Sequence, residues 1–342
     1  MAVANSPARM TPSAVPCLSA AALTHAALVP LLSTRSKPYA DALARLERFA
    51  KYDSVHVLLL GESGTGKSVF AQHLHDSSPR RGRVFHRVPL TTIGDTLAAS
   101  DLFGHLPGSF TDARVKRAGH FVSAQGGTLF LDEIGKASPL VQNTLLDAVE
   151  RHEVTPVGAD RSVRVDVRIV VASNVSLQAL ADEGKFLPDL LARLNGFTIE
   201  IPPLRERRDD IPLLVAHLLE VYARDFAYRQ APTIDSDLMK MLVDADWPGN
   251  VRELDATVRG LLIEGEGAPI ITVGHCPESV ARLVPSKHNQ VDRARILSEL
   301  QKQKKPNIAA VARKCGVSRT TVYECMKRAA VIAAAIASDL AL

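Results

Sequence analysis

Short hydrophobic runs alternate with helical patterns from Pro38 to Ile201. The run Val55–Leu60 leads directly into a glycine-rich stretch, and between Pro38 and Tyr52 the apolar residues fall on one helical face. The other runs predicted as strands are Val84–Val88, Thr128–Leu131, Val167–Ala172 and Phe197–Ile201. Strands that alternate with helices indicate a parallel sheet covered on both faces, so this part is predicted to be an α/β domain.

Beyond Pro202 and Pro203 the pattern becomes helical. Helices are predicted over Asp210–Tyr228, Ser236–Ala245 and Asn250–Glu264 with no strand between them, followed by a short extended piece over Ala268–Val273. The predicted order of segments is a largely unstructured extension ending in a short helix (1–37), an α/β subdomain (38–203), a helical subdomain (204–275), a linker (276–288) and basic C-terminal helices (289–342).

Composition and charge narrow the class of protein. Of the 342 residues, 46% are hydrophobic and 23% are charged, which excludes wholesale disorder. Four widely spaced cysteines without a CxxC pair argue against a zinc site or a disulfide scaffold and favour a reducing compartment. No segment has the pattern of a transmembrane helix, so we expect a cytoplasmic protein that does not interact with a membrane. Residues 287–330 contain 11 Lys/Arg and 3 Asp/Glu, a basic balance typical of a nucleic-acid-binding module.

A phosphate-binding loop follows the first predicted strand. Its GxxxxGK[ST] pattern lies between a strand and a helix, as the motif requires, and comprises Gly61, Glu62, Ser63, Gly64, Thr65, Gly66, Lys67 and Ser68. Backbone N–H groups of such a loop converge on phosphate oxygens at a helix N-terminus. We expect Lys67 to reach the β- and γ-phosphates of ATP and the Ser68 hydroxyl to bind Mg²⁺.

A second motif, which contains two acidic residues, completes this nucleotide site. The apolar strand Thr128–Leu131 runs directly into Asp132 and Glu133. We expect Asp132 to belong to the Mg²⁺ shell and Glu133 to orient and deprotonate an attacking water. A Glu beside the Asp favours hydrolysis over kinase chemistry.

Several further motifs occur in order along the chain: Leu102–His105 (LFGH), Gly108–Ala113 (GSFTDA), Gly126–Gly135 (GGTLFLDEIG), Pro202–Arg207 (PPLRER) and Trp247–Leu254 (WPGNVREL). Together with the phosphate loop they resemble the AAA+ domain of bacterial enhancer-binding proteins, the activators of sigma-54 RNA polymerase, over residues 38–275. This resemblance implies a three-layer α/β/α P-loop NTPase with a helical lid, assembled as a ring, usually a hexamer, with ATP between subunits.

The resemblance also implies roles for particular residues. Phe110 and Thr111 match the loop residues that contact sigma-54, and Asn174 matches a sensor of the γ-phosphate. Arg252 matches a second sensor on the lid, and Arg193 matches an arginine finger that reaches the neighbouring subunit's ATP.

Four positions depart from the family pattern. Leu187 stands where the family has a first arginine finger, whose loss can cost about 10³-fold in rate. Pro89 replaces an Asn that holds the catalytic Glu, and Ser109 and Asp112 alter the sigma-54 loop. The sequence therefore predicts ATP binding and leaves the efficiency of hydrolysis open, including the possibility that a paralogous partner completes a mixed ring.

The basic C-terminal helices contain a helix-turn-helix pattern over Ile308–Tyr323. Ser318 is expected to cap the second helix, and the residues available for double-stranded DNA at an upstream site are Ser318, Arg319, Thr320, Thr321, Tyr323 and Lys327.

The function that these patterns favour is a sigma-54-dependent transcriptional activator without an N-terminal sensor domain, because too few residues precede the ATPase segment. Two alternatives stay open at this stage. One is a DNA-binding regulator, such as a repressor, that uses ATP as a ligand with little hydrolysis. The other is a general AAA+ remodeller or helicase loader, against which the GSFTDA and WPGNVREL motifs argue.

Overall fold

The computed structural model describes residues 31–94, 97–110 and 113–275. The chain divides into two compact units, of which the first contains the residues up to Asp235 together with Trp247–His275. The second contains Ser236–Asp246 and Cys276–Leu342, and only its first segment, which forms helix α9 (Ser236–Asp244), is described. The predicted DNA-binding residues Ser318–Lys327 lie outside the described residues.

The strands of the first unit are β1 (Val57–Leu60), β2 (Phe85–Pro89), β3 (Gly104–His105), β4 (Arg117–Ala118), β5 (Thr128–Asp132), β6 (Glu153–Val154), β7 (Val163–Arg164), β8 (Arg168–Ser173), β9 (Phe197–Glu200), β10 (Thr233–Ile234) and β11 (Ile270–Ile271). Five of them form one parallel sheet in the order β2-β5-β8-β1-β9. The predicted parallel sheet is confirmed, and its strands differ from the predicted runs by a residue or two at their ends.

The helices of this unit are α1 (Lys37–Ala50), α2 (Lys67–Asp76), α3 (Ala98–Phe103), α4 (His120–Ser123), α5 (Pro139–Arg151), α6 (Leu177–Asp182), α7 (Pro188–Leu194), α8 (Ile211–Asp225) and α10 (Asn250–Glu264). Short 3₁₀ turns add Leu90–Thr92, Ile134–Lys136, Leu204–Glu206, Arg208–Asp210 and Val273–His275. The three helices predicted beyond Pro203 are confirmed, and α10 has the predicted bounds.

Hydrophobic cores cover both faces of the sheet. Alternate residues of β5 belong to different cores: Leu129 and Leu131 are part of one, and Phe130 is part of the other. The first core is closed by residues of α3, α5 and α7, and the second by residues of α1 and α2. Because successive side chains of a strand point to opposite faces, this division makes the domain a three-layer α/β/α structure, as predicted.

The last part of the N-terminal extension, residues 31–36, is attached to the domain, because Leu32 is buried and the Thr34 hydroxyl donates to Asp210 Oδ2 at 2.7 Å. One expectation about local structure is wrong. The region beyond Pro203 contains a strand that the sequence analysis missed, because β10 pairs in parallel with β11. A two-residue strand carries too little alternation to be recognised from its pattern.

Within the described part of the chain, no helix is long and apolar enough to cross a membrane.

Candidate nucleotide-binding site

The phosphate loop connects β1 to α2 through two glycines in left-handed conformations. Gly64 has φ 79° and Gly66 has φ 105°, values that residues with a side chain rarely adopt. A Cβ on Gly64 would lie 2.2 Å from the carbonyl oxygen of Gly249, whereas a Cβ on Gly66 would meet no atom within 4 Å. The loop is therefore held tightly on the side of Gly249 and is open above Gly66, where a phosphate would approach the start of α2.

Lys67 lies folded against its own loop. Its Nζ donates to the carbonyl oxygens of Gly61 at 2.7 Å and Glu62 at 2.9 Å, and Ser68 follows it in the first turn of α2. Burial lowers the pKa of Lys67, and the negative charges of Asp132 and Glu133 oppose that effect. The lysine and the two acids thus act on each other electrostatically at one end of the sheet.

Asp132 and Glu133 lie at the carboxyl end of β5, as predicted. Asp132 Oδ2 accepts from Arg87 Nη2 at 2.6 Å. Glu133 has a left-handed backbone with φ 59°, and its Oε2 lies 2.8 Å from Lys136 Nζ. Both acids therefore already have a basic partner from the same chain.

Asn174 follows β8 directly. Since β8 lies between β1 and β5 in the sheet, Asn174 is at the same edge as the phosphate loop and the acidic pair. The ends of three adjacent parallel strands thus bring together the loop, the acids and the polar residue that the sequence analysis selected.

The start of α10 is bonded to the phosphate loop by several contacts. Arg252 Nη1 donates to Ser63 Oγ at 2.9 Å, the Val251 N–H donates to the Gly64 carbonyl at 3.0 Å, and Asn250 Nδ2 donates to the Ser63 carbonyl at 3.0 Å. The predicted lid arginine Arg252 therefore does lie at the loop.

The carboxylate of Glu62 accepts three hydrogen bonds. Both of its oxygens accept from Arg205, at 2.6 and 2.8 Å, and Oε2 also accepts from Asn250 Nδ2 at 3.1 Å. The bonds from Arg205 lower the pKa of Glu62 to about 2. The side chain of Glu62 thus joins the loop to the PPLRER segment.

The two finger positions lie at opposite ends of α7. Leu187 precedes the helix, packs against a hydrophobic core and donates its backbone N–H to Gln142 Oε1 at 2.8 Å. Arg193, in the last turn, has Nη2 2.5 Å from Glu150 Oε1 on α5. The leucine is accommodated as an apolar contact, while the arginine has an acidic partner within its own chain.

The GSFTDA loop is fixed at its start. The Phe110 ring makes an edge contact with His105 at a centroid distance of 4.9 Å. The Ser109 hydroxyl donates to the carbonyl oxygens of Leu106 and of Val157, the latter at 2.8 Å. Thr111 and Asp112 lie outside the described residues.

Four residues of this region were not identified from the sequence: Arg87, Lys136, Arg205 and Asn250. Arg205 and Asn250 belong to motifs that were recognised, but their contacts depend on the tertiary fold. The sequence did contain a signal for Arg87, because β2 was predicted as a strand. In the structure Arg87 of β2 pairs with Phe130 of β5, two residues before Asp132. Since side chains two positions apart on a strand point to the same face, Arg87, Phe130 and Asp132 share one face of the sheet.

Family models match two successive parts of the chain. Residues 32–200 match the Sigma-54 interaction domain, and residues 205–293 match the AAA+ ATPase lid domain. The transcriptional regulatory protein GlrR of Escherichia coli K12 is 38% identical over 304 residues, which are 86% of this chain and 67% of that protein. The chain belongs to the sigma-54 activator family.

Two other members of the sigma-54 activator family are longer than this chain. The Nif-specific regulatory protein of Herbaspirillum seropedicae is 45% identical over 223 residues, 65% of this chain and 41% of that protein. The transcriptional regulatory protein ZraR of Klebsiella oxytoca is 38% identical over 286 residues, 80% of this chain and 63% of that protein. The chain therefore spans less than two thirds of the length of these relatives.

Solved structures support the same AAA+ fold. NtrX of Brucella abortus in complex with ADP has a TM-score of 0.68 and 28% identity, covering 88% of this chain and 70% of that chain. The same protein in complex with ATP has a TM-score of 0.66 and 27% identity, covering 86% of this chain and 68% of that chain.

Proposed function

We propose that this chain is a sigma-54-dependent transcriptional activator that hydrolyses ATP in the cytoplasm of a bacterium. The observation that carries the proposal is the convergence of the phosphate loop, Asp132, Glu133 and the lid residue Arg252, in a chain whose residues 32–200 match the Sigma-54 interaction domain.

The residues of the site fit MgATP. The open space above Gly66 and the N-terminus of α2 suit a phosphate, and Lys67 supplies a cation that donates to two carbonyl oxygens of its own loop. Ser68 and Asp132 offer a hydroxyl and a carboxylate, the oxygen ligands that Mg²⁺ prefers. Bound Mg²⁺ supplies positive charge at the phosphates.

Four residues of the chain have separate roles in hydrolysis. Glu133 holds and deprotonates the attacking water once its carboxylate is released from Lys136. Asn174 contacts the terminal phosphate from the end of β8, and Arg252 transmits the state of the loop to α10. Arg193 leaves its ion pair with Glu150 and contacts the ATP of a neighbouring subunit.

The remaining parts of the proposal concern partners. Phe110 and Thr111 contact sigma-54 RNA polymerase, and the helix-turn-helix residues Ser318–Lys327 bind an upstream DNA site that concentrates the subunits. The chain acts as a homo-oligomer, with a hexameric ring as the working assembly. NtrX complexes with ATP and ADP support nucleotide binding by this fold.

Steady-state ATP hydrolysis measured against protein concentration tests this proposal. We expect turnover per subunit to rise with concentration as subunits assemble, and Glu133→Gln to reduce it by at least about 10²-fold because the general base is lost. Wild-type protein should also activate a sigma-54 reporter and leave a matched sigma-70 reporter unchanged.

One observation favours a second candidate, a DNA-binding regulator that binds ATP without efficient turnover. That observation is the state of the two finger positions: Leu187 packs against the hydrophobic core and Arg193 is paired within its own chain. Tight nucleotide binding with no turnover at any concentration, and a response only at the sigma-70 reporter, would select this candidate. Turnover that appears only with a paralogous ATPase would indicate a mixed ring.

A further inference from the structure

The proposed hydrolysis requires a cation at the terminal phosphate. Neither of the two finger positions supplies a guanidinium that is ready to bind it. Leu187 has no charge, and Arg193 is occupied by Glu150 at 2.5 Å. A finger arginine can be supplied from the same chain as well as from a neighbour. A second guanidinium near the acidic end of β5 could therefore take the place of the missing finger.

Arg87 meets this requirement. It lies on β2, the strand at the edge of the sheet beside β5, and its Nη2 is 2.6 Å from Asp132 Oδ2. Its guanidinium also lies over the ring of Phe130, 5.8 Å from the centroid, and this contact fixes the direction in which the side chain extends. The side chain is one-third exposed, whereas that of Asp132 is 12% exposed, so the guanidinium reaches from the solvent side into the acidic end of β5.

The carboxyl end of β5 lies at the same edge of the parallel sheet as the phosphate loop, which follows β1. Burial lowers the pKa of Lys67, and the charge of Asp132 is the largest of the neighbouring charges that oppose this effect. Asp132 therefore interacts with two cations, Lys67 of the loop and Arg87 of β2, the second by a direct ion pair. A guanidinium carries five N–H donors, and the bond to Asp132 engages one of them.

We propose that Arg87 is a phosphate-binding residue supplied in cis, which contacts the terminal phosphate of ATP and replaces the finger lost at Leu187. This proposal rests on the proposed nucleotide-binding function. A guanidinium suits the role because its planar donors bind phosphate oxygens at fixed geometry. The rival explanation is that Arg87 only neutralises Asp132 and competes with the metal ion for it.

Equilibrium binding of ATPγS and of ADP, each with Mg²⁺ and with a chelator, separates these explanations. We expect Arg87→Ala to weaken ATPγS binding by about tenfold and ADP binding by less than about twofold, because only ATPγS has the terminal phosphate group. Arg87→Lys should recover part of the loss, since it keeps the charge without the fork of donors. The preference should persist in the chelator.

Arg117→Ala is the matched control. Arg117 forms a similar ion pair with Asp101 at 2.7 Å, on the β4 strand rather than at the phosphate loop. We expect its binding of both nucleotides to equal that of the wild type. If Arg87→Ala is unstable, Arg87→Gln retains the three-carbon stem and a polar end without the positive charge, and it is expected to show the same selective loss.

Three results would overturn the proposal while leaving the proposed function intact. They are equal weakening of both nucleotides, no change in either, and tighter binding of MgATPγS in Arg87→Ala, which would identify Arg87 as a competitor of the metal. Wild-type protein that binds neither nucleotide would overturn the proposed function together with this inference.

Discussion

At the scale of single residues, the acidic end of β5 differs from what the sequence suggests. Asp132 and Glu133 were predicted as a metal ligand and as the residue that deprotonates water, and the structure adds a basic partner to each, Arg87 and Lys136. Lys136 ends the three-residue 3₁₀ turn that follows the left-handed Glu133. Pro89, which has no side-chain amide, pairs in register with Asp132, and the residue that contacts the Glu133 carboxylate is Lys136.

We expect Lys136→Met to increase ATP turnover modestly. The Lys136 and Glu133 side chains are 51% and 31% exposed, and exposed ion pairs contribute at most about 1 kcal/mol, which limits the increase to about fivefold. The physical reason is that Glu133 no longer has to release an ammonium group before it holds water. Steady-state turnover at saturating MgATP measures this effect.

The control for this prediction is Lys185→Met, which removes a more exposed ion pair of similar length, with Glu183 at 2.7 Å. Its turnover should equal that of the wild type. A rate for Lys136→Met that is unchanged or lower would show that Lys136 does not restrain Glu133.

At the scale of elements, long-range contacts decide what the sequence could not. The central strands of the main sheet were predictable because they place consecutive buried residues between helices: β5 and β8 are buried at every position and β1 at three of four. The attachment of residues 31–36 was not predictable, because its partner is a buried Asp more than 170 positions away. Likewise, Glu62 was predicted as a member of the phosphate loop, and only the fold shows that its carboxylate binds Arg205.

Asp210→Ala should destabilise the first unit. Asp210 is fully buried and accepts from the Thr34 hydroxyl at 2.7 Å and from the backbone N–H groups of Arg35 at 2.6 Å and Ser36 at 3.3 Å. Removing the carboxylate leaves these donors without their acceptor, at a cost of about 2–3 kcal/mol in the free energy of unfolding. Urea denaturation measures the loss.

Asp209→Ala provides the comparison, since Asp209 is adjacent and exposed. We expect its free energy of unfolding to lie within about 0.5 kcal/mol of the wild type. If the two alanine variants are equally stable, Asp210 does not hold residues 31–36 in the folded protein.

At the scale of the whole molecule, we expect buried and half-buried histidines to make stability depend on pH. Burial lowers the pKa of five histidines, which are His56, His75, His86, His120 and His217. His86 and His120 also share one hydrogen bond, with Nε2 and Nδ1 2.8 Å apart, so one ring donates and the other must accept. Protonating both rings would break this bond and place two positive charges side by side.

The sign of the effect follows from linkage. Unfolded histidine titrates near about 6.5, and a lowered pKa in the folded state means that the unfolded chain binds more protons below that pH. The stabilisation is therefore complete above about pH 7 and is lost progressively as the pH falls towards 5. We expect the urea midpoint to decrease steadily over this interval and to be nearly constant between pH 7 and 8.

The double variant His86→Gln/His120→Gln should show a shallower decrease, because two of the five groups no longer titrate. A wild-type midpoint that stays constant from pH 7 to 5 would contradict the burial argument, and an unchanged slope in the double variant would assign the dependence to the other three histidines.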